Sequence, residues 1–214
     1  MKIGILGTGD VGRSLGRGFA ALGHDVMMGS RDAGNPKAHE WAAGAGARAT
    51  AGTFADAAHF GEVIVLATSW GGTENAIRLA TPEAIGTKVV MDATNPLRFP
   101  PNAPPELMIG HTDSSGEQVQ RWLPKARVVK VYNTVGHSLM VGPKLPGGPP
   151  DMFLCGNDDA AKRTVSEICA KFGWPTIDIG GIAGSRLLDP LCLLWIIYAM
   201  RTGTRDHAFK LLRG

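Results

Sequence analysis

Apolar residues occur in short continuous runs, separated by stretches with helical spacing. KIGIL (2–6), DVMMG (25–29), EVIVLAT (62–68), KVVMDAT (88–94) and RVVKVYN (127–133) read as strands, with a weaker candidate at RAT (48–50). The run VIV is continuous rather than alternating, as expected of a strand buried on both faces. Val11, Leu15, Phe19 and Leu22 fall on one face of a helix. Strand and helix patterns then alternate. This predicts βαβ units and an α/β fold with a doubly wound, mainly parallel sheet.

Two stretches break the rhythm. NPLRFPPNAPPEL (95–107) and VGPKLPGGPP (141–150) carry too much proline for a helix or a central strand. The first follows a strand end and is expected to overhang a cleft. The second is expected to separate residues 1–140 from a small C-terminal domain, 151–214, of mixed but mostly helical character. In that part DMFLCG and TIDIG are strand candidates, and NDDAAKRTVSEICAKFG (157–173) has acids at its start, lysine near its end and Gly173 as a stop. From Ser185 to Leu212 the pattern is mostly helical, with Pro190 in the first turn and Gly203 a point of interruption. SSGEQVQRWL (114–123) pairs Ser114 with Glu117 and Ser115 with Gln118, and either pair suits a helix-start capping box.

Composition narrows the class. The 214 residues are 44% hydrophobic and 19% charged, which suits a globular chain with a sizeable core. A formal net charge of +3, spread along the chain, argues against a nucleic-acid partner. Cys155, Cys169 and Cys192 match no metal or redox spacing and read as buried thiols in a reducing compartment, so no metal is expected. The opening MKIGILG reads as a strand rather than a signal peptide, and the run LCLLWIIYAM (191–200) is too short to span a bilayer. These features lead to the expectation of a cytoplasmic protein with no membrane partner.

Candidate chemistry begins at Gly7-Thr8-Gly9-Asp10-Val11-Gly12, a G-x-G-x-x-G between the first strand and the first helix. Gly7 would make the tight turn, Gly9 would let a pyrophosphate approach the backbone, and Gly12 would let the helix pack close to the sheet. The helix N-terminus then offers free N–H groups and a favourable dipole to the phosphates. Strand before, amphipathic helix after and a second strand beyond are the context that marks a Rossmann-type dinucleotide site. Asp10 is expected to cap the helix.

The end of the second strand bears on which nucleotide binds. An acid there would hydrogen-bond the ribose hydroxyls of NAD. This chain has Ser30 and Arg31 instead, with Lys37 a few residues on and Thr8 on the same side. A hydroxyl and a guanidinium suit a 2′-phosphate, and each charge-assisted bond contributes roughly 1.5–3 kcal/mol. NADP(H) is therefore the expected cofactor.

In an open α/β sheet, ligands lie beyond the carboxyl ends of the strands. Here those ends supply Thr68-Ser69-Trp70, Asp92-Ala93-Thr94-Asn95 and Asn133-Thr134-Val135-Gly136-His137. No nucleophile stands beside a base, and there is no G-x-S-x-G elbow. His137 could serve as an acid or base or be a packing residue, and Asp92 could hold its loop or meet substrate. No catalytic residue is assigned from these residues. Hydride transfer between two redox rings asks for positioning and exclusion of water more than for strong acid–base chemistry.

The stretch ILGTGDVGRSLGRGFAALGHDVMMGSRD resembles the N-terminal fingerprint of the NADPH:coenzyme F-420 oxidoreductase family. The resemblance extends through DATNPL, SSGEQVQRWLPKARVVKVYNTVG, MFLCGNDDAAKRTV and SRLLDPLCLLWIIYAMRTGTRDHAFKLL, nearly the whole chain. It implies a Rossmann domain, a small C-terminal domain, and hydride transfer between NADPH and the deazaflavin coenzyme F-420 in the cleft between them. It implies that Thr8, Ser30, Arg31 and Lys37 meet the 2′-phosphate and that Gly7, Gly9 and Gly12 meet the pyrophosphate. Ser69 and Trp70 would pass beside the cofactor, with Asn133, Thr134 and the segment Arg201-Thr202-Gly203 lining the cleft. Other small-molecule acceptors stay open, namely a flavin, a quinone or a small imine or carbonyl. So does a non-catalytic NADP-binding sensor or scaffold. The apolar run 191–200 is read either as a homodimer interface or as inter-domain core.

Overall fold

A computed structural model describes residues 1–212. The chain opens with β1 (Lys2–Leu6), α1 (Asp10–Ala21), β2 (Asp25–Ser30), α2 (Pro36–Ala45), β3 (Ala49–Thr53), α3 (Phe54–Phe60), β4 (Val63–Leu66), α4 (Trp70–Ala80) and a single turn, α5 (Pro82–Ile85). Next come β5 (Val89–Asp92), the short β6 (Leu97–Arg98) and β7 (Glu106–Leu107), α6 (Ser115–Trp122) and β8 (Arg127–Lys130). The last part holds β9 (Met152–Gly156), α7 (Asp159–Lys171), β10 (Thr176–Asp178) and α8 (Ser185–Thr202).

Eight strands form one sheet in the order β10-β9-β8-β5-β4-β1-β2-β3. The pairs from β3 to β8 are all parallel. β9 runs antiparallel to β8, with Lys130 opposite Cys155, and β10 is parallel to β9. Helices cover both faces, so successive strand residues serve opposite cores. In β4, Val63 and Val65 join the core under α1, α2 and α7, and Ile64 and Leu66 join the core under α3, α4 and α6. This is the expected α/β fold with a doubly wound, mainly parallel sheet. The proline-rich segment 141–150 connects the helical turn 137–139 to β9 without regular structure, and the sheet continues across it into β9 and β10.

Local sequence explains the element ends. Asn35 caps α2 by accepting from the Ala38 N–H at 3.1 Å, with Pro36 at the first helical position. Thr53 and Asp56 form a reciprocal capping box at α3. Asp158 caps α7 through the Ala161 N–H at 2.7 Å. Ser114 is the cap of α6, so the Ser114–Glu117 pair is the one used.

Several expectations need correction. Leu22 sits past the end of α1 and is exposed, leaving Val11, Leu15 and Phe19 to carry that face. Residues 95–107 form neither a helix nor a central strand, as expected, but they do hold a small separate pair: Leu97–Arg98 runs antiparallel to Glu106–Leu107, joined by an Arg98–Glu106 ion pair, with Pro96 before the first strand and the other four prolines in the loop between. Pro190 lies in the second turn of α8, because that helix starts at Ser185. Helix α8 stops at Gly203, which adopts a left-handed conformation. The tail beyond is held without helix: Phe209 accepts from the Asp151 N–H, and the Leu211 N–H donates to the Asp151 carboxylate. Ile182–Thr202 is long and apolar enough, by length and composition, to cross a membrane, though part of it packs against the sheet domain. The uninterrupted run 191–200 understated that length. All three cysteines are buried free thiols, and burial pushes each up to about 12.

Candidate functional site

The turn after β1 is built for close approach. Gly7 has φ +131°, and a Cβ there would lie 2.4 Å from the Ala67 carbonyl oxygen. A Cβ at Gly12 would lie 2.4 Å from the Gly7 carbonyl oxygen, so a side chain would push α1 off the sheet. A Cβ at Gly9 would meet nothing within 4 Å. Gly9 is also the cap residue of α1 and gives the helix no side-chain cap. The N–H groups of the first turn are thus free to face an anion. Asp10 does not cap the helix as expected. It is exposed at the first helical position, with Oδ2 4.0 Å from Nε2 of His137.

A cleft of about 350 Å³ opens over this turn, lined by Gly7, Thr8, Gly9, Arg31, Thr68 and Ser69 together with Phe54, Ala67, Gly72 and Asn75. Arg31 is exposed on the loop after β2 and forms no ion pair among the described residues. Phe54, Ala67, Gly72 and Asn75 escaped the sequence reading. Gly72 and Asn75 follow Ser69 along α4, so the helix start after β4 was a usable signal for them. Phe54 had none.

The remaining expected site residues lie elsewhere. Ser30 is buried, and its hydroxyl donates to the Asp32 carbonyl and accepts from the Asp32 N–H at 3.2 Å. It shapes the loop that carries Arg31. Lys37 is exposed in the first turn of α2 and is not part of the cleft wall. Val11 packs on the core beneath α1. Trp70 stacks on Trp122 with centroids 5.4 Å apart, against the core rather than the cleft. Asn95, Asn133 and Thr134 gather at the ends of β5 and β8. The Asn95 amide donates to the Asn133 carbonyl at 3.1 Å, and the Asn133 amide donates to Asn95 Oδ1 at 3.2 Å and to the Leu188 carbonyl at 3.0 Å. Asn133 and Thr134 are both buried.

A second pocket, of about 540 Å³, lies against α8. Its walls include Phe99, His137, Trp195, Met200 and Arg205, with Gly203 at one edge. His137 joins this pocket to the start of α1: its Nδ1 lies 3.5 Å from the Ser14 hydroxyl, and its Nε2 faces Asp10. The Trp195 ring stacks on His207 at 4.5 Å, and its Nε1 donates to the His207 carbonyl at 2.9 Å. A larger groove, about 660 Å³, lies elsewhere, between residues 107–111 and the start of α8. None of the expected site residues lines it.

Sequence reasoning also missed a buried polar cluster. Asp92, Lys130 and Asp189 meet close along the chain to the Asn95–Asn133 pair, with Lys130 Nζ 3.1 Å from Asp92 Oδ2 and 3.8 Å from Asp189 Oδ1. Burial raises the pKa of Asp189, opposed by the Lys130 ammonium and by bonds from Ser115. A lysine inside the apolar run RVVKVY was the available signal.

Comparison with known proteins places this architecture. A family model described as NADP oxidoreductase, coenzyme F-420-dependent, matches residues 2–96. The F-420-dependent NADP reductase of Methanocaldococcus jannaschii is 30% identical over 208 residues, covering 92% of this chain and 91% of the relative. The chain belongs to the coenzyme F-420-dependent NADP oxidoreductase family. That membership places it among NADP-linked oxidoreductases. The rat metalloreductase STEAP3 (Rattus norvegicus) is 32% identical over 205 residues; these cover 90% of this chain, which spans only 37% of that longer protein. A crystal structure of a candidate F-420-dependent NADP reductase from Arthrobacter sp. FB24 superposes with a TM-score of 0.93 at 38% identity, covering 100% of both chains. The Aspergillus terreus reductive aminase shares the fold at 18% identity, with a TM-score of 0.66 over 94% of this chain and 62% of its own.

Proposed function

We propose that this protein moves a hydride between NADPH and a deazaflavin, coenzyme F-420. The observation that carries the reading is the pairing of the Gly9 cleft, with Arg31 on its wall, and the aromatic pocket of Trp195 and Phe99, joined through Asp10 and His137. The residues present fit both groups. Gly9 leaves open space where a pyrophosphate approaches, and Arg31 is free to take a 2′-phosphate. The second pocket offers flat, apolar walls of a size suited to a small ligand. When bound, NADPH supplies the hydride, two electrons with one hydrogen, and one further proton completes the reduced acceptor. The chain's own part is binding and orientation. Thr8, Arg31, Thr68 and Ser69 hold the adenosine and phosphate end, assisted by Lys37 from α2. Ser30 fixes the loop that aims Arg31. Asn95, Asn133 and Thr134 form the floor beneath the nicotinamide end. Helix α8 excludes water from the acceptor, and His137 stands at the junction, where a proton can be held on its ring nitrogen. In this reading residues 1–140 form the nucleotide domain and 151–214 the part that closes the acceptor pocket.

The test is an acceptor panel with NADPH in excess. The expected outcome is bleaching of oxidised F-420, with slower or no turnover of FMN, quinones and small imines or carbonyls. Flavin is the second reading, and faster turnover of FMN than of F-420 would establish it. Tight NADPH binding with no turnover of any acceptor would make the protein a nucleotide sensor instead.

We further infer a homodimer through α8. Leu187, Leu194 and Tyr198 stand exposed along one face of that helix. Such a self-complementary apolar stripe is what a two-fold contact with a second copy requires.

A further inference from the structure

The cluster close along the chain to Asn95 and Asn133 has no part in the binding roles above, and its charges do not balance. Lys130 Nζ donates to Asp92 Oδ2 at 3.1 Å, to the Ser115 hydroxyl oxygen at 2.7 Å and to the Thr94 carbonyl, which uses all three of its N–H groups. Asp92 Oδ1 accepts from the Thr94 N–H at 2.9 Å and from its hydroxyl at 2.6 Å. Asp189 accepts from the Ser115 N–H and hydroxyl, each at 2.8 Å. With both carboxylates ionised, every donor in the cluster meets an acceptor. A proton on Asp189 would have to point at the Ser115 oxygen and strand the hydroxyl hydrogen of Ser115. One ammonium therefore faces two carboxylates, at side-chain exposures of 0–2%. Ser115 is the first residue of α6, and the dipole of that helix takes up about half a charge. Arg186, the nearest further cation on α8, is spent on Glu117. A net negative charge is left in the floor.

The floor also holds an unpartnered acceptor. The amide nitrogen of Asn133 donates to Asn95 Oδ1 and to the Leu188 carbonyl, so the amide cannot flip, and its Oδ1 is buried with no donor. In a doubly wound sheet the pyrophosphate sits on the first helix, and the dinucleotide crosses the carboxyl ends of the strands. A nicotinamide half bound in that way would cross the ends of β4, β5 and β8, near this cluster. The two redox states of the nicotinamide differ there by one positive charge.

We propose that Asp92, Lys130 and Asp189 act as a buried electrostatic bias that favours bound NADP⁺ over bound NADPH. The bias makes NADPH a stronger hydride donor in the site, because the ring charge that develops on transfer is met by fixed negative charge. The inference rests on the nucleotide reading above. Asp92 and Asp189 are positioning groups for charge and need not touch either ligand.

The test measures dissociation constants of NADP⁺ and NADPH by fluorescence titration, with melting curves to show that each variant is folded. The ratio of the two constants cancels every contact the nucleotides share. Asp189→Asn is expected to weaken NADP⁺ relative to NADPH by on the order of five- to tenfold. Asp92→Asn removes the same charge from the other side and is expected to shift the ratio in the same direction. Ser115→Ala loosens the cluster without changing its charge and should leave the ratio as in the wild type. An unchanged ratio in folded Asp189→Asn and Asp92→Asn overturns the proposal, as does an equal shift in Ser115→Ala. Wild-type protein that binds neither nucleotide overturns the nucleotide reading first, and this inference with it.

Discussion

Arg31, a guanidinium with no ion pair among the described residues, stands in the wall of the cleft over the glycine turn, and in the proposed reading nucleotide choice turns on it. Arg31→Asp replaces a donor suited to a 2′-phosphate by an acceptor suited to a ribose hydroxyl, and it repels the phosphate. Two lost charge-assisted bonds correspond to about two orders of magnitude in affinity. The expected result is a fall of roughly 100-fold in the preference for NADPH over NADH, measured by titrating both reduced nucleotides. An unchanged preference would remove Arg31 from the site. The glycine turn was legible because each glycine answers a local steric need. Ser30 was not: its hydroxyl is taken by Asp32, and a sequence does not show which of two nearby acceptors a hydroxyl will choose. Lys130 and Asp189 were hidden for a related reason, since 59 positions separate them along the chain and only the tertiary fold brings them to 3.8 Å.

At the scale of elements, α6 is fastened at both ends of its charge pattern. Glu117 binds Arg186 of α8, and Asp113 takes Arg121 and Gln118. The Arg121 guanidinium lowers the Asp113 carboxyl from 3.8 to about 2, and Arg186 lowers Glu117 in the same direction. A carboxyl whose pKa is lower in the folded state stabilises the fold above its unfolded value and loses that contribution as pH falls through the folded value. For Asp113 the window runs from about pH 4 down to about pH 2. Thermal melts of wild type and Asp113→Asn at low salt should differ by a constant amount above that window and converge within it. A gap that stays constant down to pH 2 would show that the pair adds nothing to the fold. Central strands were legible from their continuous apolar runs, because burial on both faces leaves no other pattern. The β6–β7 pair was not, since two-residue strands joined across prolines are fixed by partners rather than by composition. Gly203 was legible as the interruption of α8, whereas the stretch beyond it was read as helix because the apolar pattern continues past the glycine.

Over the whole molecule, the same helix that walls the pocket proposed for the acceptor also presents Leu187, Leu194 and Tyr198 outward. If that stripe joins two copies, Leu194→Glu should shift sedimentation from dimer to monomer at micromolar concentration with little loss of thermal stability. A wild-type monomer at every concentration would leave the stripe with another role. The fold and the glycine turn under the first cleft could be read from the chain, because that turn is one continuous segment. The pocket proposed for the acceptor is assembled from residues around 99, 137 and 195–205, which no local pattern links. The central claim, a direct hydride path from donor cleft to acceptor pocket, is tested most directly by isotope transfer. NADPH carrying deuterium at the transferring position of nicotinamide C4 is mixed with oxidised F-420 and the protein, and the reduced deazaflavin is weighed by mass spectrometry. The account predicts that the deuterium arrives on the deazaflavin; reduction with the label lost to water, or no reduction, would contradict it.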